Sequence, residues 1–271
     1  MAEPEPPRSN VPPTTVGTPA EPVAALDAEA LARHDTVLVI CAHPDDVDFG
    51  AAGTVATLVA AGASVTYCMV TQGQAGSSDP HAKPADIAEL RMAEQRAAAA
   101  EVGVSDVRFL DHSDGAVVAS IELRSDLSRV IRQVRPGLVI TQPTERNLER
   151  IYASHPDHLA TAEAAMAAVY PDARNAHAHR GLLDDEGLEP WSVPEVWMMG
   201  LGTDLSPKVS VVIDTTDVID RKVAALRAHQ SQTAAMEDLD DMIRGWGAMT
   251  AAAAGLPEGR TAELFRRIDT R

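Results

Sequence analysis

Four short apolar runs, each followed by a helical pattern, set the class of fold open to this chain. Residues 37–41, 65–70, 107–110 and 138–141 read as buried strands. Helical patterns cover 51–61, 85–102, 121–134 and 156–169. Gly62, Gly103 and Pro136-Gly137 stand where the first three helices should stop, and Pro156 suits the first position of the fourth. In the third, Ile121, Leu127, Val130, Ile131 and Val134 recur at near-helical spacing. A β-α-β-α-β-α-β-α order predicts an α/β fold: a three-layer α/β/α, Rossmann-like arrangement around a mostly parallel sheet. Ligands of such folds lie beyond the carboxyl ends of the strands.

The flanks are less regular. Residues 1–24 are Pro-rich, without an apolar period, and read as a flexible, disordered tail. Residues 25–271 read as one domain, opened by a short helix over 25–33. In its less regular C-terminal region, 193–199 and 209–213 look like strands and 216–229 like a helix. Residues 174–190, with two glycines and several charges, are expected to form a mobile loop or lid. Ala-rich 250–254 is broken by Gly255-Leu256-Pro257.

Composition narrows the partners. Hydrophobic residues make up 45% of the 271 but aromatics only 3%, so the core must be built from Ala, Val, Leu and Ile. A net charge of −17 argues against nucleic acid and anionic membrane surfaces. No run approaches the roughly 20 apolar residues that span a bilayer, and the N-terminus lacks the basic and apolar parts of a signal peptide. A cytoplasmic protein is the expectation, with Cys41 and Cys68 as reduced core thiols. Self-association is left open.

Two clusters carry the chemistry. The first strand runs directly into His43-Pro44-Asp45-Asp46, which delivers one imidazole and two carboxylates to a strand end. Such donors suit a divalent metal. Adjacent carboxylates rarely chelate one ion, so one could ligate while the other addresses a bound water. A polar loop with Asp as helix cap is the plain alternative. The second cluster, Ser154-His155-Pro156-Asp157-His158, follows the fourth strand, on the same sheet edge. His155 and His158 are three apart around a helix N-terminus and share a face. The pair of clusters is far more specific than either alone.

Ala42-His43-Pro44-Asp45-Asp46 followed by His155-Pro156-Asp157-His158 resembles the LmbE-like, PIG-L-type zinc-dependent deacetylases. These include N-acetylglucosaminyl-phosphatidylinositol deacetylases and the deacetylases of mycothiol and bacillithiol synthesis. The resemblance spans roughly 36–230 and takes in Thr71-Gln72-Gly73, Arg91-Met92-Ala93-Glu94 and Asp114-Gly115. It implies His43, Asp46 and His158 as ligands of Zn²⁺, with Fe²⁺ or Co²⁺ as substitutes. It implies Asp45 as general base, His155 as the group that stabilises the oxyanion, and Asp157 as the carboxylate that orients His155. Arg91 and Asp114 fall where the family contacts substrate. A helix-surface ion pair with Glu94 or Glu89 would equally explain Arg91, and an Asp-Gly turn Asp114. Two departures touch the substrate shell: Val47 stands where many members have Glu, and Ser154 where some have Arg.

The implied activity is hydrolysis of an N-acetyl group from a small N-acylated amine, with an amino sugar such as an N-acetylglucosaminide as the main candidate. A thiol-conjugate amide and a natural-product precursor are the alternatives within the family. Outside it stand an inactive sugar-binding module and a non-haem Fe(II) site, whose two-His-one-carboxylate ligands are the same types. Those oxygenases sit on β-rich barrels, whereas this chain alternates β and α.

Overall fold

The computed structural model describes residues 25–148, 151–200 and 210–271; the predicted tail 1–24 and the start of the strand predicted over 209–213 lie outside them. Seven strands form one sheet: β1 (Thr36–Cys41), β2 (Ser64–Thr71), β3 (Asp106–His112), β4 (Leu138–Thr141), β5 (Glu195–Met199), β6 (Val211–Asp214) and β7 (Ala262–Asp269). Their order is β3-β2-β1-β4-β5-β7-β6, parallel from β3 to β5 and antiparallel on both sides of β7. The helices are α1 (Ala28–Leu31), α2 (Asp46–Gly50), α3 (Ala52–Ala60), α4 (Pro84–Glu101), α5 (Ile121–Val134), α6 (Pro156–Ala167), α7 (Gly181–Asp184), α8 (Ile219–Ala228), α9 (Gln230–Thr233) and α10 (Leu239–Ala253).

The continuous apolar runs follow from burial on both faces of the sheet. In β1, Val37, Val39 and Cys41 join one core with Val55 and Leu58 of α3, Ala98 and Ala99 of α4 and Ala225 of α8. Leu38 and Ile40 point the other way, into a second core with Leu123, Leu127 and Ile131 of α5 and Ala164 and Ala165 of α6. This is the three-layer α/β/α arrangement that the alternation predicts. Both cysteines are buried and free. Among the described residues no helix is long and apolar enough to cross a membrane.

Topology fixes where a site can form. From β1 the chain moves outward to β2 and β3, whereas β4 lies on the other side of β1. The carboxyl ends of β1 and β4 therefore flank a switch point, where connections diverge and leave a crevice. Gln142, just past β4, accepts a hydrogen bond from the Ala42 N–H at 3.0 Å and ties the two ends together.

In the C-terminal third, the strands expected over 193–199 and 209–213 and the helix expected over 216–229 form β5, β6 and α8, and two other features depart from expectation. β7 was not predicted, and it inserts antiparallel between β5 and β6. Its consecutive Arg266 and Arg267 hide the strand alternation, and its Glu263 is an inward-facing charge. That carboxylate accepts from the Gly53 and Thr54 N–H groups at 3.1 and 2.7 Å, at the positive N-terminus of α3. Lys222 of α8 donates to it at 2.6 Å and to the Phe49 carbonyl at 2.7 Å. The predicted lid over 174–190 is instead stapled to the body. Arg132 of α5 donates to the carbonyls of Asp172, Ala173, Asn175, Ala178 and Leu188. Trp191 donates to the Pro136 carbonyl, at the amino end of β4 and away from the crevice. A segment held this way, at the far sheet edge, does not close over the strand ends.

The Lys222–Glu263 pair is almost wholly buried, so Glu263→Ala leaves a buried ammonium without its counter-charge. The expected cost is about 3–5 kcal/mol, read as a lower denaturant midpoint. Lys222→Met combined with Glu263→Gln should cost markedly less.

Candidate metal centre and active site

The site assembles from three loops beyond strand ends. His43, Asp45 and Asp46 leave β1, Asp114 follows β3, and His155, Asp157 and His158 open α6 after β4. Asp46 sits between two imidazoles: its Oδ1 lies 3.0 Å from His158 Nε2 and its Oδ2 3.4 Å from His43 Nδ1. Oδ2 also accepts the His43 N–H at 2.7 Å. On the other side of His43, Nε2 lies 3.0 Å from Asp114 Oδ1 and 3.1 Å from Asp157 Oδ2. The rings of His43, His155 and His158 stand 5.1–5.4 Å apart, centroid to centroid.

Asp45 is turned elsewhere. Its backbone is left-handed, with φ 90° and ψ −25°, a region that few residues other than glycine occupy. Its N–H donates to Gln95 Oε1 at 2.8 Å, and Arg91 Nη2 donates to its Oδ2 at 3.0 Å. The same guanidinium donates to the Pro44 and Gly73 carbonyls. Arg91 is therefore buried against the base of the loop, and the alternative reading, a surface pair with Glu94 or Glu89, does not describe it. Glu94 bonds to Ser231 instead. Room for Arg91 comes from Gly73, at φ 71°, and Gly76: a Cβ on either would come within 2.7 or 2.2 Å of Nη1.

The electrostatics follow from this crowding. Burial pushes the Asp45 carboxyl up to about 7, and the neighbouring Asp46 adds to the rise. Burial would raise Asp46 too, but His158 and His43 hold it well below the usual carboxylate range. Desolvation works to lower His43; hydrogen bonds to Asp114 and Asp46 outweigh it and push the imidazole to about 11. His155 is lowered, by desolvation and then by the nearby His43.

The second motif departs from expectation in one detail. The Asp157 carboxylate meets His43 and accepts from the Gly115 and Val117 N–H groups at 2.7 and 3.2 Å. What faces His155 is the Asp157 main chain, whose N–H donates to Nδ1 at 3.2 Å. Asp157 thus touches His155 through its backbone and not its carboxylate. Asp114 is more than a turn residue, since its Oδ2 accepts the Ala75 N–H while Oδ1 meets His43. Ser154 is buried, its hydroxyl accepting the Asn147 N–H. Of the tryptophans, Trp197 is in the core and Trp191 stacks under Arg135.

Three residues at the site went unnoticed in the sequence. Gln95 is four positions from Arg91, on the same helix face, which is a legible signal. Asp48 and His229 form a wholly buried contact, Nε2 to Oδ2 at 2.8 Å. His229 closes α8, and its partner lies 181 positions away.

The donor set suits a divalent cation. Imidazole and carboxylate are zinc's usual nitrogen and oxygen ligands. The surroundings that raise His43 to about 11 favour positive charge at this point. Two triplets offer ligand atoms all within 4.8 Å of one another, His43–His155–His158 and His43–Asp114–Asp157. The set expected from sequence, His43–Asp46–His158, is joined pairwise through Asp46.

The GlcNAc-PI de-N-acetylase (PIG-L) family model matches residues 38–169. The chain is 31% identical over 196 residues to the diacetylchitobiose deacetylase of Thermococcus kodakarensis, covering 72% of this chain and 69% of that protein. It is 27% identical to the 1D-myo-inositol 2-acetamido-2-deoxy-alpha-D-glucopyranoside deacetylase of Kineococcus radiotolerans, over 82% and 75% of the two chains. Among solved structures, the N,N'-diacetylchitobiose deacetylase of Pyrococcus horikoshii superposes with a TM-score of 0.76 at 28% identity, over 87% of this chain and 84% of the other.

Zinc titration separates the donor sets. His158→Ala should abolish stoichiometric binding. Asp114→Asn should weaken it by no more than the roughly 10–100-fold that loss of an outer partner costs. The reverse pattern would put the ion among His43, Asp114 and Asp157.

Proposed function

The chain belongs to the PIG-L family of GlcNAc-PI de-N-acetylases, and from that premise we propose that it is a zinc-dependent hydrolase that removes the N-acetyl group from an amino-sugar substrate. The observation that carries the reading is the split between adjacent carboxylates: Asp46 faces two imidazoles, while Asp45 faces Arg91. That split supports Asp46 as a holder of a cation and Asp45 as an acceptor of a proton.

His43, Asp46 and His158 would hold the zinc. Zinc bound there would supply Lewis-acid chemistry, polarising an acyl carbonyl and lowering the pKa of water from about 15.7 toward roughly 7. Asp45 accepts the proton of the attacking water; a carboxyl raised by burial is suited to proton transfer near neutral pH. Arg91, itself fixed by the Pro44 and Gly73 carbonyls, holds the carboxylate in place. His155 accepts the Asp157 N–H at Nδ1, which leaves Nε2 to donate to the oxygen of the tetrahedral intermediate. Asp45 then returns its proton to the departing nitrogen. The products are acetate and a free amine. Asp114 and Asp157 hold His43 from the side opposite Asp46. Asp114, whose Oδ1 meets His43, is the candidate contact for a sugar hydroxyl.

The amino-sugar part of the reading rests on the relatives, whose names specify chitobiose and a glucosaminyl-inositol. Amine release should be measured on a panel of N-acetylglucosaminides, including N,N'-diacetylchitobiose, with and without Zn²⁺. Zinc-dependent release of acetate and amine in equal amounts is expected. No turnover on any member would remove the sugar reading. In the same assay Asp45→Asn should keep its zinc and lose at least about 100-fold in kcat; an undiminished rate would remove Asp45 as base.

A further inference from the structure

We propose that Gln95, Asp48 and His229 are positioning residues for Asp45, and that the His229–Gln232 segment, outside the part of the chain that the family model matches, thereby belongs to the catalytic apparatus. The proposal rests on reading Asp45 as the base.

The argument starts from the backbone of Asp45. A non-glycine residue at φ 90° persists only where its surroundings over-determine it. Here the Asp45 carbonyl accepts from the Asp48 and Phe49 N–H groups, at 2.9 and 3.0 Å. The Asp45 N–H is directed to a single acceptor, Gln95 Oε1. A glutamine amide can present either end, and only one end accepts. Asp48 makes the choice. Its Oδ2 accepts from Gln95 Nε2 at 2.8 Å, so the NH₂ end of the amide is taken up by Asp48. The carbonyl of Gln95 is then left for Asp45.

Asp48 in turn needs a donor, because it is wholly buried. His229 supplies it from Nε2 at 2.8 Å. His229 stands where α8 ends, and the residues after it grip α4 directly. Ser231 donates to Glu94 from both its N–H and its hydroxyl, at 2.7 and 2.6 Å. Gln232 donates to the Gly76 carbonyl at 2.9 Å, in the loop that cradles Arg91. One face of α4 thus carries Arg91, Glu94 and Gln95: two hold Asp45 and the third is held by the C-terminal segment.

The test uses the full chain loaded with zinc and the N-acetylglucosaminide turned over fastest in the panel above. Gln95→Met keeps the side chain's length and loses both hydrogen bonds. It should retain zinc stoichiometry and KM while kcat falls about 10–100-fold. On an Asp45→Asn background it should cost nothing further. His229→Met should lose kcat in the same way, and His229→Gln, which keeps a donor near Nε2, should recover it. A crystal structure of Gln95→Met reads the point without substrate: Asp45 should leave the left-handed region. An unchanged kcat, an equal loss on the Asp45→Asn background, or an unchanged Asp45 backbone each overturns the proposal. If Asp45→Asn itself runs at the normal rate, it is the base assignment that has failed.

Discussion

The structure turns on a concentration of negative charge at one sheet edge. Asp45, Asp46, Asp48, Asp114 and Asp157 lie in or beside a single crevice, in a protein that already carries −17. Buried carboxylates persist only when paired or hydrogen-bonded. Each has a separate answer: Arg91 for Asp45, two imidazoles for Asp46, His229 and Gln95 for Asp48, main-chain N–H groups with His43 for Asp114 and Asp157. His43 is the one group asked to serve three of these carboxylates, and it is the residue pushed furthest toward a fixed positive charge. A divalent cation answers the same demand with more charge, without requiring the imidazole to stay protonated.

Those answers come from distant parts of the chain, and the sheet brings them together. Parallel strands buried on both faces place every βα loop of β1, β2, β3 and β4 on one edge. The loop after β2 contributes Gly73 and Gly76, whose missing side chains make room for Arg91. The loop after β3 contributes Asp114 and the Gly115 and Val117 N–H groups. The second core does its work at a distance: α5 and α6 pack there, and α6 begins with His155, Asp157 and His158.

The first four strands and their helices were legible because their signals are local. Helical patterns end at Gly62, Gly103 and Pro136-Gly137, and α5 matches its expected bounds at both ends. The two histidine-aspartate motifs were legible for the same reason, since each is a contiguous string. What was hidden depends on partners far apart. β7 is recognisable only once Glu263 has α3 and Lys222 to answer it. His229 has no meaning in sequence without Asp48. Residues 174–190 look loose because their anchor, Arg132, lies on another helix and bonds only to carbonyls, which carry no side-chain signature.

Adjacent carboxylates doing different work is at bottom a question of backbone geometry. Successive side chains diverge, but within a regular helix Asp45 and Asp46 would still share one electrostatic environment. The left-handed residue breaks that sharing. Asp46 starts α2 and faces the imidazoles; Asp45, just outside the helix, faces Arg91. The burial that both residues share raises one carboxyl and is overcome in the other, because only Asp46 has cationic partners on both oxygens. A glycine would adopt the same backbone with less strain, but it would carry no carboxylate. The site therefore keeps an aspartate in an unfavourable conformation, and Gln95, Arg91 and the start of α2 compensate for it. That strain has a use only if the carboxylate of Asp45 does, which is why the support around it, and not the ligand triplet alone, marks this edge of the sheet as a place where a bond is broken.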